Sequence, residues 1–170
     1  VVLAVSAVIL YLLLARVPLV PALDAASPAV MLALAVLDIG DFAAGSHYGA
    51  STAAPWGVTY SSRFAARTTG VPLGIALHPM QIYAAVGHFV LAAVLVAMLR
   101  HQGRSAEVLG TALFADGVLL FLLAPLSGAY AEAPVLLHVV TPAQAIAMLM
   151  VVLGGLCWLG HGSQPAVQNA

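Results

Sequence analysis

The stretch that decides the fold runs from Pro79 to Leu99 and reads PMQIYAAVGHFVLAAVLVAML. It contains no Asp, Glu, Lys or Arg, and an apolar run of about 20 residues is long enough to cross a bilayer as an α-helix. Comparable stretches occupy residues 28–44, 108–126 and 142–159, and a shorter one covers residues 1–15. These patterns predict an all-α, polytopic integral membrane protein with about five transmembrane helices.

The composition agrees with embedding in a membrane. Hydrophobic residues make up 63% of the 170-residue chain and charged residues only 6%, whereas soluble domains carry about 25% charged residues. The net charge of −1, with five Arg spread along the chain, excludes the clustered basic face of a nucleic-acid-binding protein. The single Cys excludes a disulfide framework. The six His show no paired metal-ligand spacing, so we expect neither a metal nor another cofactor.

We expect one transmembrane domain over residues 1–160 and a short cytoplasmic tail over residues 161–170. The first apolar stretch is shorter than a full span of about 20 residues. It is preceded by no positive segment and followed by no small-residue cleavage site, which argues against a signal peptide. We therefore expect the domain to begin inside a helix and to be incomplete at its N-terminus.

Three helix starts are indicated by a proline at the first helical position, where its missing N–H costs nothing. They are Ser27-Pro28, His78-Pro79 and Thr141-Pro142. Thr141 followed by Gln144 also fits a capping box, in which each residue bonds the other's backbone N–H.

The arginines indicate the orientation. If the helices alternate, Arg16, Arg100 and Arg104 lie on one side of the membrane and Arg63 and Arg67 on the other. The positive-inside rule then places the first group in the cytoplasm. The long polar connection over residues 45–78 becomes an extracytoplasmic loop, and a loop of that length in a small membrane protein is usually functional or disordered.

Three carboxylates fall inside the predicted spans. Counted from a helix start at Pro28, Asp38 and Asp41 lie about 15 and 20 Å deep and share one helix face. Asp116 reaches a similar depth on another helix. An ionised, unpaired carboxylate there costs at least ~2.5–3.5 kcal/mol. Since no Arg lies in any predicted span, relief must come from protonation, from water, or from His, Ser and Tyr partners. The predicted role is functional; the alternative is neutral Asp hydrogen-bonded between helices.

A second group of polar residues is HPMQIY at residues 78–83. The first turn of the helix that it opens presents unpaired N–H groups, which suit a phosphate or carboxylate. At helical spacing His78, Gln81 and His88 share a face and Tyr83 points elsewhere, which predicts a polar stripe for a headgroup. The alternative is structural, with His78 capping the helix and Tyr83 anchoring it at the membrane interface.

Three segments together resemble the prolipoprotein diacylglyceryl transferase family. They are DIGDFAAGSHYG at residues 38–49, Pro55-Trp56-Gly57, and HPMQIY at residues 78–83. In that family a glycine-rich helix end closes in a Tyr-Gly or Trp-Gly pair, a Pro-Trp-Gly/Ala loop follows, and a His-Pro-x-Gln-x-Tyr-Glu motif opens the next helix. Leu23-Asp24 and Ser27-Pro28 look like its upstream lead-in, and the resemblance covers about residues 10–158.

The resemblance implies an enzyme of the bacterial inner membrane that moves a diacylglyceryl group from phosphatidylglycerol to the lipobox cysteine of a lipoprotein precursor. Its partners are then phosphatidylglycerol, precursor peptides and membrane lipids, without nucleic acid. The resemblance implies catalytic roles for His78 and Tyr83. It implies substrate-binding roles for Gln81, Asp41, Ser46, Gly49, Trp56, Arg63 and Arg67.

The chain departs from the family pattern at charged and polar positions. The family carries Arg, Asn or Cys, and Glu or Cys where this chain has Asp38, Asp41 and Ser46. It carries Glu, Arg and Glu where this chain has Ala84, Leu120 and Ala124. Its upstream His-Gly-Gly segment is not found, and we expect it to lie before Val1.

The charge reversal at Asp38 bears most directly on activity, because a carboxylate repels a nearby phosphate in a weakly screened site. Arg63 and Arg67 are the basic residues on that face that could substitute. We expect little or no transfer, and we expect Asp38→Arg with Ala84→Glu to recover phosphatidylglycerol binding before turnover.

The alternatives are a catalytically degenerate lipid- or lipoprotein-binding relative and a proton or cation pathway through Asp38, Asp41 and Asp116.

Overall fold

The computed structural model describes residues 11, 14–101, 106–128 and 140–160. In chain order the elements are helix α1 (Leu19–Ala44), strand β1 (Val58–Thr59), helix α2 (Arg63–Thr69), strand β2 (Ala76–Leu77), helix α3 (Met80–Arg100), helix α4 (Glu107–Leu123), a 3₁₀ turn (Ala124–Leu126) and helix α5 (Pro142–Gly160). Helices α1, α3 and α5 and the α4 segment continued through the 3₁₀ turn are each long and apolar enough to cross a membrane. The prediction of an all-α polytopic membrane protein is confirmed.

Other parts of the prediction fall outside the described residues. They are most of the helix expected over residues 1–15, together with Arg104 and the tail over residues 161–170. The side of the membrane on which each loop lies stays a prediction.

The predicted start at Ser27-Pro28 was wrong, because α1 begins at Leu19 and Pro28 lies inside it. A proline in a helix interior lacks the N–H for one backbone hydrogen bond, and here the turn also carries a bond from the Ser27 hydroxyl to the Leu23 carbonyl at 2.8 Å. The earlier start changes the expected depths: Asp41 lies in the last turn of a 26-residue helix, near its end rather than at mid-membrane.

The other two proline signals mark helix starts closely. Helix α3 begins at Met80 with Pro79 as its N-cap, one residue later than expected. Helix α5 begins at Pro142 as expected, and the capping box is confirmed. The Thr141 backbone N–H donates to Gln144 Oε1 at 3.1 Å, and the Gln144 N–H donates to Thr141 Oγ1 at 3.3 Å.

Glycine lets α4 and α5 pack with their backbones in contact. A Cβ added at Gly154 would lie 2.6 Å from the Gly110 carbonyl oxygen, and one added at Gly117 would lie 2.6 Å from that of Ala147. Small residues at such crossings permit the close approach that holds membrane helices together where lipid offers no hydrophobic driving force. On the other side, α1, α3 and α4 share a core of Met31, Leu91, Ala92, Leu95, Val108 and Ala112.

Asp24 ties α1 to the start of α4. Its buried carboxylate accepts the backbone N–H of Ala106 at 2.6 Å and that of Leu109 at 2.7 Å. These donors are the N-cap residue and a first-turn residue of α4, where backbone N–H groups have no partner within the helix. The bond brings the start of α1, the end of α3 and the start of α4 to one end of the bundle, and the connector between α1 and α3 lies at the other end.

We expect Asp24→Ala to lower the free energy of unfolding by about 1–3 kcal/mol, because a buried N–H group and a part-buried one lose their acceptor. Unfolding by SDS in mixed micelles measures the change. Asp41→Ala is the matched control, since its carboxylate is 35% exposed and a surface pair contributes about 0–1 kcal/mol. Equal stability of Asp24→Ala and the unmodified chain would contradict the capping role.

The connector, residues 45–78, folds into a small packed unit. Strands β1 and β2 pair antiparallel, with Val58 opposite Leu77, and Ala65, Val71 and Leu77 form a core covered by Tyr48 and Tyr60. The Tyr60 hydroxyl donates to the Phe42 carbonyl in the last turn of α1 at 3.0 Å, and burial raises the pKa of that hydroxyl. These contacts fix the connector against the end of the helix bundle.

Candidate functional site

A cavity of about 650 Å³ opens where the connector meets α1, α3, α4 and α5. We call it the connector-side cleft. Its polar lining comprises Asp38, Asp41, His47, Gln81, His88, Ser127 and Thr141. Its apolar lining comprises Met80, Ala84, Leu120, Leu123, Ala124, Pro142, Ala143 and Ile146. The cleft therefore offers an apolar wall suited to hydrocarbon and a polar floor suited to a headgroup or a peptide.

His88 joins two helices across the floor of the cleft. Its Nδ1 lies 2.7 Å from Asp38 Oδ2 on α1, and its Nε2 lies 2.9 Å from Asp116 Oδ1 on α4. The side chains of His88 and Asp116 are each 4% exposed, and that of Asp38 is 21% exposed and faces the cleft. His88 is thus the partner of both carboxylates, which the sequence left open between several residue types.

Proton counting limits the charge of this Asp38–His88–Asp116 bridge. Its two hydrogen bonds need two protons, either both on an imidazolium or one on the imidazole and one on a carboxyl group. With these two protons alone the three groups together carry a charge of −1, and a third proton on a carboxyl oxygen outside the two bonds makes them neutral. The floor of the cleft is therefore acidic, and none of its described lining residues is arginine.

Asp41 lies at the mouth of the cleft and not beside Asp38 at mid-membrane, which corrects the predicted depth. Its Oδ2 lies 2.8 Å from His47 Nδ1, and the two side chains are 35% and 78% exposed. This pair is open to solvent, so its contribution to stability is small.

Gln81 fastens the end of α1 to α3. Its buried side chain donates from Nε2 to the Ser46 carbonyl at 2.5 Å, so Ser46 contributes its backbone to the site. Gly49 packs against the carbonyl oxygen of His78, where a Cβ would overlap that atom. Only glycine fits at that position without moving the backbone in front of α3.

His78, Tyr83 and Trp56 form a second polar group, outside the lining of the cleft. The Trp56 indole Nε1–H donates to Tyr83 Oη at 2.7 Å, and Tyr83 Oη lies 3.4 Å from His78 Nδ1. The prediction that Tyr83 points away from His78 was wrong. His78 precedes the first residue of α3, so helical spacing does not govern its direction.

The predicted polar stripe is confirmed for Gln81 and His88, which both line the cleft, and was wrong for His78, which lies outside its lining for the same reason. His88 takes part in the bridge with Asp38 and Asp116, Gln81 bonds Ser46, and His78 contacts Tyr83. The role of His88 as a bridge was missed, because its partners lie 50 and 28 residues away in sequence.

Arg63 and Arg67 lie on α2 with exposed side chains. Within the part of the chain that the structure describes, no arginine lines the cleft. The departures from the family pattern at Asp38, Ala84, Leu120 and Ala124 all line it. Of the six departures, Asp41 also lines the cleft and Ser46 does not, so five of them lie in one cavity.

Comparison with known proteins gives one match. The family model for prolipoprotein diacylglyceryl transferase matches residues 1–159 of the chain. No curated protein and no solved structure matches it.

Proposed function

The chain belongs to the prolipoprotein diacylglyceryl transferase family, and from this premise we propose that it is a lipid- and lipoprotein-binding member with little or no transferase activity. Membership supports a transferase-like function in lipoprotein biosynthesis. In our proposal the protein resides in the bacterial inner membrane, and its connector-side cleft receives lipoprotein precursor peptides and membrane lipid, with weak affinity for phosphatidylglycerol.

The carboxyl groups in and behind the cleft lining are the observation that carries this proposal. Transfer of the diacylglyceryl group displaces a glycerol phosphate, and donors or cations must hold that charge as it leaves. Here two carboxylates line the cleft and a third lies behind them, and none of the described lining residues is Arg. A phosphate in the cleft would meet repulsion, so the chemical step would be slow.

An active transferase is the second candidate, and the His78–Tyr83–Trp56 group favours it. In the tautomer with a proton on Nδ1, His78 and Trp56 both donate to Tyr83 Oη. His78 Nε2 is then available as a base for the thiol proton. The thiolate would attack the glyceryl carbon, forming a C–S bond while the C–O bond to phosphate breaks.

The test is lipid transfer by the full chain in vesicles that contain phosphatidylglycerol, with a synthetic lipobox peptide as acceptor. We expect the mass shift of a diacylglyceryl group on at least about 100-fold less peptide than an active family member gives, a barrier difference of about 2.7 kcal/mol. A peptide with Ser in place of the acceptor Cys is the control for unspecific labelling.

A photo-crosslinking peptide measures binding separately from transfer, and we expect it to label the cleft. Robust transfer, abolished by His78→Ala and by Tyr83→Phe, would establish the active enzyme instead. If the chain shows neither transfer nor labelling of the cleft, both candidate functions are overturned.

A further inference from the structure

Helix α2 presents an apolar and basic face that the proposed function does not use. Phe64 is 77% exposed, more than any Tyr, any Trp or any other Phe among the described residues. Arg63 precedes it, and Arg67 and Thr68 follow at the spacing that puts them on its side of the helix. Ala65 is buried and packs against Val71 and Leu77. The helix is therefore oriented by its small buried side, with the large side chains turned outward.

The position of α2 relative to the bundle is fixed by several contacts. The Ser62 hydroxyl caps the helix by accepting the Ala65 N–H at 3.2 Å. Just before it, Tyr60 bonds the last turn of α1, and just after it, the chain returns through β2 to the start of α3. Because α1 and α3 are membrane spans, α2 is held close to the membrane surface.

The charge of the connector is uniform in sign. Residues 45–78 contain Arg63 and Arg67 and no Asp or Glu. Three further apolar side chains of the connector are well exposed: Trp56 at 62%, Ile75 at 46% and Leu73 at 39%. Aromatic and basic side chains together are typical of surfaces at the membrane interface. Each Arg near an anionic lipid surface contributes about 1 kcal/mol.

We propose that α2 is an interfacial anchor that binds anionic phospholipid. Phe64 inserts at the boundary between headgroups and acyl chains of the leaflet that the connector faces, and Arg63 and Arg67 bind lipid phosphates. The anchor depends on the membrane fold alone, so it stands whether or not the chain transfers lipid. It draws anionic lipid to the edge of the cleft, whose described lining contains no Arg.

Phe64→Trp in a Trp56→Phe, Trp158→Phe background gives a single fluorescent reporter at this place. The full-length protein is reconstituted in mixed vesicles of phosphatidylcholine and phosphatidylglycerol, in which either one or the other lipid carries bromine on its acyl chains at equal mole fraction. We expect quenching by both, stronger by at least about twofold from brominated phosphatidylglycerol, since the two Arg enrich that lipid around the reporter.

Two charge variants complete the test. Arg63→Gln with Arg67→Gln should make the two brominated lipids quench equally. Arg100→Gln, at the opposite end of α3, should leave the difference unchanged. If the Phe64→Trp reporter shows the emission maximum of a Trp in water and neither brominated lipid quenches it, the anchor is overturned. Equal quenching by the two brominated lipids with both Arg present would overturn the lipid selectivity. If lipobox peptide and not lipid protects the reporter from water, α2 is a peptide-binding surface instead.

Discussion

Asp38→Arg should raise the affinity of the connector-side cleft for phosphatidylglycerol at least about tenfold, an effect of about 1.4 kcal/mol. The substitution replaces an acidic side chain that faces the headgroup with a cationic one, which changes the charge at this position by +2 where Asp38 is ionised. At about 6 Å and an effective dielectric constant of about 20, each charge pair contributes roughly 3 kcal/mol. Asp116, which lies behind His88, will pair with part of the new charge, so the expected gain is smaller than this sum.

A reporter inside the cleft measures that gain. Ile146 lines the cleft and is 60% exposed. The fluorescence of Ile146→Trp, in the Trp56→Phe, Trp158→Phe background, therefore reports on the lipid held there. Asp38→Asn is the matched control, because it removes the negative charge without adding a positive one, and its effect should be intermediate. The Ile146→Trp fluorescence is then compared in the two variants. If brominated phosphatidylglycerol quenches it no more in the Asp38→Arg variant than in the Asp38→Asn variant, the repulsion at Asp38 is not what limits binding.

Turnover should follow only with a second change. Ala84 lines the cleft on α3, and Ala84→Glu supplies the carboxylate that the family motif carries there. We expect Asp38→Arg alone to bind lipid without measurable transfer, and the pair of changes to begin transfer. Transfer by Asp38→Arg alone would show that the missing glutamate is dispensable.

His88→Leu should destabilise the protein more than any other single change, by about 3–5 kcal/mol, because it leaves two carboxylates in the bundle without their common partner. SDS-induced unfolding in mixed micelles measures the loss. His47→Leu is the matched control, since the His47–Asp41 pair is solvent-exposed and its loss should change stability by less than about 1 kcal/mol.

Removing the whole bridge should restore stability. Replacing Asp38, His88 and Asp116 together by Leu exchanges a buried ionic network for apolar contacts, an exchange that is often neutral or stabilising. Recovery of stability in the triple variant would show that His88→Leu destabilises the protein because it leaves charged carboxylates without a partner. Failure of the triple variant to recover, or a His88→Leu protein as stable as the unmodified chain, would contradict the bridge.

The sequence predicts the membrane spans well because a bilayer imposes a length and a composition on each of them. The capping box at Thr141 and Gln144 could also be predicted from the sequence, because both partners lie within one turn. The start of α1 could not, because Pro28 resembles a helix-start signal but the helix begins earlier, at Leu19. Asp24, whose acceptor role keeps α1 and α4 together, was noticed only as part of a motif.

The contacts that shape the site join distant positions, which local spacing cannot reveal. Asp24 bonds residues 82 and 85 positions away, and Gln81 bonds Ser46 at a separation of 35. Helical spacing predicts faces on one helix and says nothing of which helix lies opposite. It therefore identified Asp38 and Asp116 as costly carboxylates in the membrane and His88 as part of a polar stripe, but did not join them.

The central claim is that the carboxyl groups in the floor of the connector-side cleft disfavour an anionic headgroup there, and the Ile146→Trp reporter in the Trp56→Phe, Trp158→Phe background tests it most directly. The measurement is the ratio of quenching by brominated phosphatidylglycerol to quenching by brominated phosphatidylethanolamine at equal mole fraction. We predict a ratio at or below one, because the amine of the second lipid is attracted to Asp38 and the first lipid offers no cation. A ratio clearly above one, retained in the Arg63→Gln, Arg67→Gln variant, would contradict the account.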